Sequence, residues 1–231
     1  MAKTESMKRR LIFILLMLLP SFYQAGAEKL PDETCKDEVY ASLHLGDLGL
    51  SYEAYKLAVR GLEKLKTEGQ LLNNNILTII DFTQSSNHKR MYVIDLYKKT
   101  LLYNTYVAHG RNTGGEYAEK FSNTSGSFMS SLGFYITQNI AIGPKVGLSV
   151  ILKGIEKGIN DKAQQREIIV HGADYATESL IQKNGRLGRS YGCPSLPPEM
   201  IQPVAETIKG GSCLFIYKND RQYLHESQIL K

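Results

Sequence analysis

From Ile76 onward the chain is a succession of short runs rich in Ile, Val, Leu, Tyr and Phe. Each run is cut off by turn-forming residues, and a chain written this way has to pair strands. "ILTIIDF" reads as a strand and "SSNHKR" as the loop after it. "MYVIDLY" and "LLYNTYVAHG" are β-rich and joined by Lys98-Lys99, which predicts a hairpin. "GSFMSSLGFYIT" ends in another strand, "EIIVHG" is a buried strand that delivers His171, and "SCLFIYK" is the last. Between them, "INDKAQQR" predicts a short helical turn capped by Asn160. "PEMIQPVAETIKGG" predicts a helix kinked near Pro203 and stopped by Gly210. Upstream, Tyr55, Ala58, Val59, Leu62 and Leu65 recur at helical spacing between a Ser51 cap and a Gly69 stop. The expected fold is mainly β with some α (α+β). A helical N-terminal segment, 28–75, precedes a β-rich domain, 76–231, and no internal repeat or heptad run is present.

The first residues set the compartment. Lys8-Arg9-Arg10, the apolar run "LIFILLMLLP" and the small residues Ala25 and Ala27 have the layout of a secretory signal peptide over 1–27. The run is shorter than the roughly 20 apolar residues a spanning helix needs. An uncleaved anchor is therefore the lesser alternative, and no stable membrane insertion is expected after cleavage. Of 28 basic and 23 acidic residues, a cut after Ala27 removes four and one, leaving a net charge of +2. No Lys/Arg block remains that would point to nucleic acid as a partner. Three cysteines in an oxidising compartment leave one unpaired or paired between chains. Cys35 with Cys213, leaving Cys193 free, is one such arrangement.

Cys193 lies between a glycine and a proline in "GRLGRSYGCPSLPPEM". The thiolate is the reactive form, and a nearby imidazole or cation favours it. His171, where an apolar strand opens into a loop, is a candidate base. Gly172 permits close approach of the backbone, and Gly192 permits a tight turn whose N–H groups would face a reacting carbonyl. Together these suggest acyl transfer through a thioester. Two other readings stay open on composition alone. Cys193 is then simply buried, or His109, His171, Asp174 and Cys193 supply ligands to a hydrolytic zinc. No close ligand pair of the H-E-x-x-H or C-x-x-C kind supports the metal.

"IVHGADY" followed by "GRLGRSYGCPSLP" resembles the catalytic signature of the murein L,D-transpeptidase catalytic domain family. "IIDFTQSSNHKRMYVIDL", "VAHGRNTG", "FSNTSGSFMSSLGFY" and "EIIVHGADY" are similar to that family's segments in the same order, over roughly Ile76 to Tyr217. The resemblance implies a β-sandwich or barrel with cysteine and histidine at one mouth. It also implies an envelope location, no cofactor, and peptidoglycan stem peptides as partners. Cys193 would attack the third, diamino-acid residue of a stem tetrapeptide and expel the terminal D-Ala. His171 would be the general base, oriented by a backbone carbonyl at Gly172. Amides around Gly192 and Cys193 would hold the oxyanion, and Ser190, which matches the Ser/Thr of the family's motif, would contact substrate. Transfer to an amine of a neighbouring stem gives a 3→3 cross-link, and transfer to water makes an L,D-carboxypeptidase.

One departure stands out. Many of these enzymes carry an aliphatic residue and then Arg or Asn after the Gly-Cys pair, where this chain has Pro194 and Ser195. Arg189, with Arg186, is the expected substitute for binding substrate carboxylates, against the alternative of solvated loop charges. His109 either lines the cleft, as the matching family segment does, or stabilises the turn into Gly114-Gly115. Tyr175 and Tyr191 either donate hydroxyls to substrate or pack. Two rival functions remain: a zinc-dependent cell-wall peptidase using His171 and Asp174, and a non-catalytic murein-binding domain.

Overall fold

The computed structural model describes residues 33–231, with side chains from Glu38 onward. The expected leader, residues 1–27, lies outside the described residues. Among the described residues no helix is long and apolar enough to cross a membrane.

Two helices come first, α1 (Glu33–Ser42) and α2 (Tyr52–Thr67). The expected cap is made: Ser51 Oγ accepts the Ala54 N–H at 3.3 Å. The Ser51 N–H in turn donates to Asp81 Oδ2 at 3.0 Å, which ties the helix start to the end of the first strand. The predicted stripe is the buried face. Gly61 belongs to it for a reason periodicity does not give. A Cβ there would lie 2.1 Å from Phe134 Cζ, so only glycine lets the helix lie this close to the sheet.

The strands are β1 (Ile76–Asp81), β2 (Met91–Asp95), β3 (Thr100–Thr105), β4 (Gly133–Gly143), β5 (Gly147–Gly154), β6 (Ile169–Gly172), β7 (Ser195–Leu196) and β8 (Cys213–Tyr217). Helix α3 (Glu178–Asn184) precedes β7, α4 (Pro198–Ile208) precedes β8, and α5 (Arg221–Glu226) closes the chain. The eight strands among the described residues form one sheet in the order β3-β2-β1-β8-β4-β5-β6-β7. Its two ends meet beyond β3, where Ala108 bridges Ser195 of β7 through N–H···O bonds of 2.8 and 3.2 Å. The expected sandwich or barrel is thus a mixed sheet closed into a barrel, which leaves fewer open edges to protect.

Strands β1, β2 and β8 are buried at every residue. Helix α2 packs on β1 and β8, and α4 packs on β1 and on β4 to β6. Rings of Phe134 and Phe215 stack at 4.1 Å in this core. The β2–β3 hairpin turns at Lys98-Lys99 as expected, with Lys99 at φ 50. Pro203 lies inside α4, and Gly210 follows it at φ 76.

Over "INDKAQQR" the chain is a run of turns, with the Arg166 N–H on the Lys162 carbonyl at 2.9 Å as in one helical turn. Asn160 does not cap it: its side chain accepts the Glu156 N–H at 2.9 Å and donates to the Leu132 and Phe134 carbonyls at 2.9 and 3.0 Å. Strands β5 and β7 and helices α3 and α5 were not read from sequence. Cys213 is a free, fully buried thiol, and the side chain of Cys35 lies outside the described residues.

Candidate active site

The barrel closure places the candidate residues. His171 on β6 and Ser195 on β7 are direct partners in a parallel pair, so the loop from Asp174 to Pro194 leaves and returns beside the histidine. Gly192 sits at φ 130, which favours glycine, and a Cβ there would lie 2.8 Å from the Met129 carbonyl. Ser190 Oγ donates to the Cys193 carbonyl at 2.6 Å and accepts the Gly192 N–H at 3.0 Å. This side chain therefore clamps the nucleophile loop. It is buried and lies outside the cleft, away from the substrate contact expected of it. The Gly192 N–H is likewise already engaged, which leaves the Cys193 N–H as the loop amide for an oxyanion.

Cys193 and His171 line one open cleft of about 1190 Å³. Its walls are the β4–β5 hairpin tip, the segment before β6, and α4 through Pro198 and Ile201. Gly172 fits under α4 because a Cβ would meet Ile201 Cγ2 at 3.0 Å. The half-buried Cys193 thiol lies 3.6 Å from the Glu167 carbonyl. Burial pushes its pKa above the ordinary value, while the Ile169 N–H and the Arg166 guanidinium pull the other way. The resting sulfur is therefore a thiol at neutral pH and needs a base.

His171 Nδ1 donates to the Gly172 carbonyl at 2.9 Å, since a carbonyl only accepts. That is the backbone orientation the resemblance implies. Nε2 is then unprotonated and accepts from Ser195 Oγ at 3.0 Å, and Tyr175 OH lies 3.0 Å from the same Oγ. Burial lowers the His171 pKa, with the Gly172 bond opposing, so the imidazole is neutral at pH 7.

The two expected arginines stay out of the cleft. Arg186 donates to the neighbouring Leu187 carbonyl, and the exposed part of Arg189 donates to the Arg111 and Gly114 carbonyls at 3.0 and 2.9 Å. Among the described residues two cations line the cleft, Lys145 at the hairpin tip and, acting on the sulfur, Arg166, which sequence reading missed. It is held by the Ser122 and Met129 carbonyls and the Ser131 hydroxyl. Its place in a polar turn gave no signal.

His109 is also elsewhere. It is 1% exposed, packs edge-on to Phe82 at 5.8 Å, and accepts from Arg90 at Nδ1 at 2.8 Å. Its Nε2–H faces the Gly114 and Gly115 carbonyls without closing a hydrogen bond. Burial first, and then the Arg90 charge, lower its pKa to about 3. Of its two readings, the turn-stabilising one agrees with this placement. Tyr175 and Tyr191 both line the cleft; Tyr191 packs on Phe128 at 5.0 Å under the Arg111 guanidinium. Among the described residues no three His, Cys, Asp or Glu side chains gather closely enough to hold a metal ion.

A family model described as the L,D-transpeptidase catalytic domain matches residues 47–217. No curated protein matches the sequence. Among solved structures, an L,D-transpeptidase from Mycobacterium smegmatis is 13% identical, with 62% of this chain and 59% of that one covered and a TM-score of 0.40. L,D-transpeptidase 3 from Mycobacterium tuberculosis is 12% identical, with 62% and 61% covered and a TM-score of 0.38. The helical cell shape determining protein Pgp2 from Campylobacter jejuni is 16% identical, with 70% and 57% covered and a TM-score of 0.41. The chain spans less than two thirds of the length of these structures.

Proposed function

Because the chain belongs to the L,D-transpeptidase catalytic domain family, we propose that it is a cysteine-dependent L,D-transpeptidase of the cell envelope acting on peptidoglycan stem peptides. The observation that carries this reading is the shared cleft of Cys193 and His171, with the imidazole held by the Gly172 carbonyl and its Nε2 free of a proton. A half-buried thiol raised above its ordinary pKa needs a neutral base, and His171 is one.

The Cys193 sulfur attacks the carbonyl carbon of the diamino-acid residue of a tetrapeptide stem while its proton passes towards His171. The Cys193 N–H stabilises the tetrahedral oxyanion. Collapse returns the proton to the departing D-Ala amine and leaves a thioester. The amine of a neighbouring stem then loses its proton to the base and attacks the thioester, giving a 3→3 cross-link and the free thiol. Arg166, lining the cleft, supplies positive charge beside the sulfur. This chemistry needs no metal.

Incubation with a disaccharide-tetrapeptide and analysis of products by mass tests the reading. A cross-linked dimer with release of D-Ala, lost in Cys193→Ala, supports it. Tripeptide alone would make the protein an L,D-carboxypeptidase by the same first half-reaction. Activity abolished by a chelator but not by a thiol alkylator would replace the reading with the zinc peptidase. Murein binding without any product would replace it with a binding domain.

A further inference from the structure

The base and the thiol share a cleft, yet the base does not point at the thiol. His171 Nε2 is occupied by Ser195, and the Cys193 sulfur faces the Glu167 carbonyl. Neither end of the imidazole can turn towards sulfur without loss. Nδ1 is bound to Gly172 and Nε2 to Ser195, and His171 as a whole is 6% exposed. Ser195 cannot step aside either. It is fully buried, pairs with His171 across β6–β7, and is bonded on its other side to Ala108.

The hydrogen-bond directions are fixed by chemistry. Gly172 only accepts, so Nε2 only accepts, so Ser195 donates to it. Ser195 Oγ has a second acceptor in reach, the Cys193 carbonyl at 3.5 Å, but Nε2 at 3.0 Å is the shorter contact; with the single Ser195 proton directed at Nε2, Tyr175 OH donates to Ser195 Oγ at 3.0 Å. The Tyr175 oxygen keeps lone pairs, and Tyr175 lines the same cleft as Cys193. Resting on Cys193 as nucleophile, we propose that Ser195 and Tyr175 form a two-hydroxyl relay through which His171 exchanges protons with the reacting atoms. On activation the S–H bond breaks and its proton goes to the Tyr175 oxygen. The former Tyr175 proton goes to Ser195 Oγ, and the former Ser195 proton goes to Nε2. The products are thiolate and imidazolium, with no other reactant. Reversal delivers a proton to the leaving amine. Ser195, the residue that departs from the commoner Arg or Asn, is thus the positioning residue of the relay.

Ionisable groups sharing the cleft with His171 are Asp174 and Tyr175 after it, Arg166 and Glu167 before it, Cys193 and Tyr191 on the nucleophile loop, and Lys145 at the hairpin tip. The test is therefore comparative. Iodoacetamide alkylation, resolved at Cys193 by peptide mass mapping, is followed against pH in wild type, Ser195→Ala, Ser195→Thr and Tyr175→Phe. With the relay, wild type shows a pH-independent shoulder between the His171 titration, below 6.5, and the thiol titration, above 9. Ser195→Ala and Tyr175→Phe lose the shoulder, with rates at pH 7 down by about 100-fold, the usual scale of general base assistance. Ser195→Thr keeps it.

A shoulder that survives in Ser195→Ala or Tyr175→Phe, or one missing from wild type, overturns the relay. Tyr175→Phe decides alone should Ser195→Ala fail to fold. D-Ala release by Cys193→Ala is measured in parallel. Release that persists there sinks the nucleophile itself, whereas release lost there with an intact Ser195→Ala shoulder sinks only the relay.

Discussion

His109 gives the protein a built-in sensitivity to mild acid. Its ordinary pKa of 6.5 falls to about 3 in the fold, because burial and the neighbouring Arg90 charge both disfavour the imidazolium. The unfolded chain takes up a proton below pH 6.5 that the folded chain refuses until about pH 3. Its stabilising contribution is therefore fully present above pH 6.5 and lost as pH falls through this window. At 1.36 kcal/mol per pKa unit, the change from pH 7 to pH 5 removes about 2 kcal/mol. His171, also lowered, acts in the same direction, and buried Glu156, raised by burial, acts against it. A difference measurement isolates His109. His109→Gln keeps an acceptor for Arg90 and cannot titrate. Urea unfolding at pH 7 and pH 5 should show wild type losing about 2 kcal/mol more than His109→Gln between the two. Equal losses in both proteins would refute the argument.

Gly61→Ala should destabilise the protein by about 1–2 kcal/mol in urea unfolding, although helix propensity alone predicts a gain of about 1. The new methyl meets Phe134, whose ring is already stacked on Phe215 at 4.1 Å, and a neutral or stabilising result would contradict this packing. Arg166→Gln should raise the pH at which Cys193 is alkylated, because a cation beside the sulfur is removed, whereas Arg189→Ala should leave that profile in place. A shift with Arg189 and none with Arg166 would return the role to the nucleophile loop.

What was legible in the sequence was local. The α2 stripe and its Ser51 cap are fixed within one segment, and the β2–β3 hairpin by residues that are neighbours in the chain. Strand β5 passed unread because "GLSVILKG" has no clean alternation, and β7 because two residues carry no pattern. Asn160 looked like a cap, but its side chain serves Leu132 and Phe134, 28 and 26 residues away. The site divides the same way. Cys193, His171 and the Gly172 carbonyl were readable from motifs and the resemblance they carry. The partner of His109 is Arg90, 19 residues upstream, and no spacing rule links them. Ser195 was visible only as a departure from a pattern. Its meaning comes from β6–β7 register, which is tertiary.

The central claim is that Cys193 becomes acylated. Intact-protein mass spectrometry on the folded, reduced protein with a disaccharide-tetrapeptide tests it most directly, beside Cys193→Ala. The expected result is a mass increase equal to the donor less D-Ala, mapped to Cys193 and absent from the variant. The same adduct on Cys193→Ala, or D-Ala release with no dependence on the thiol, would contradict it.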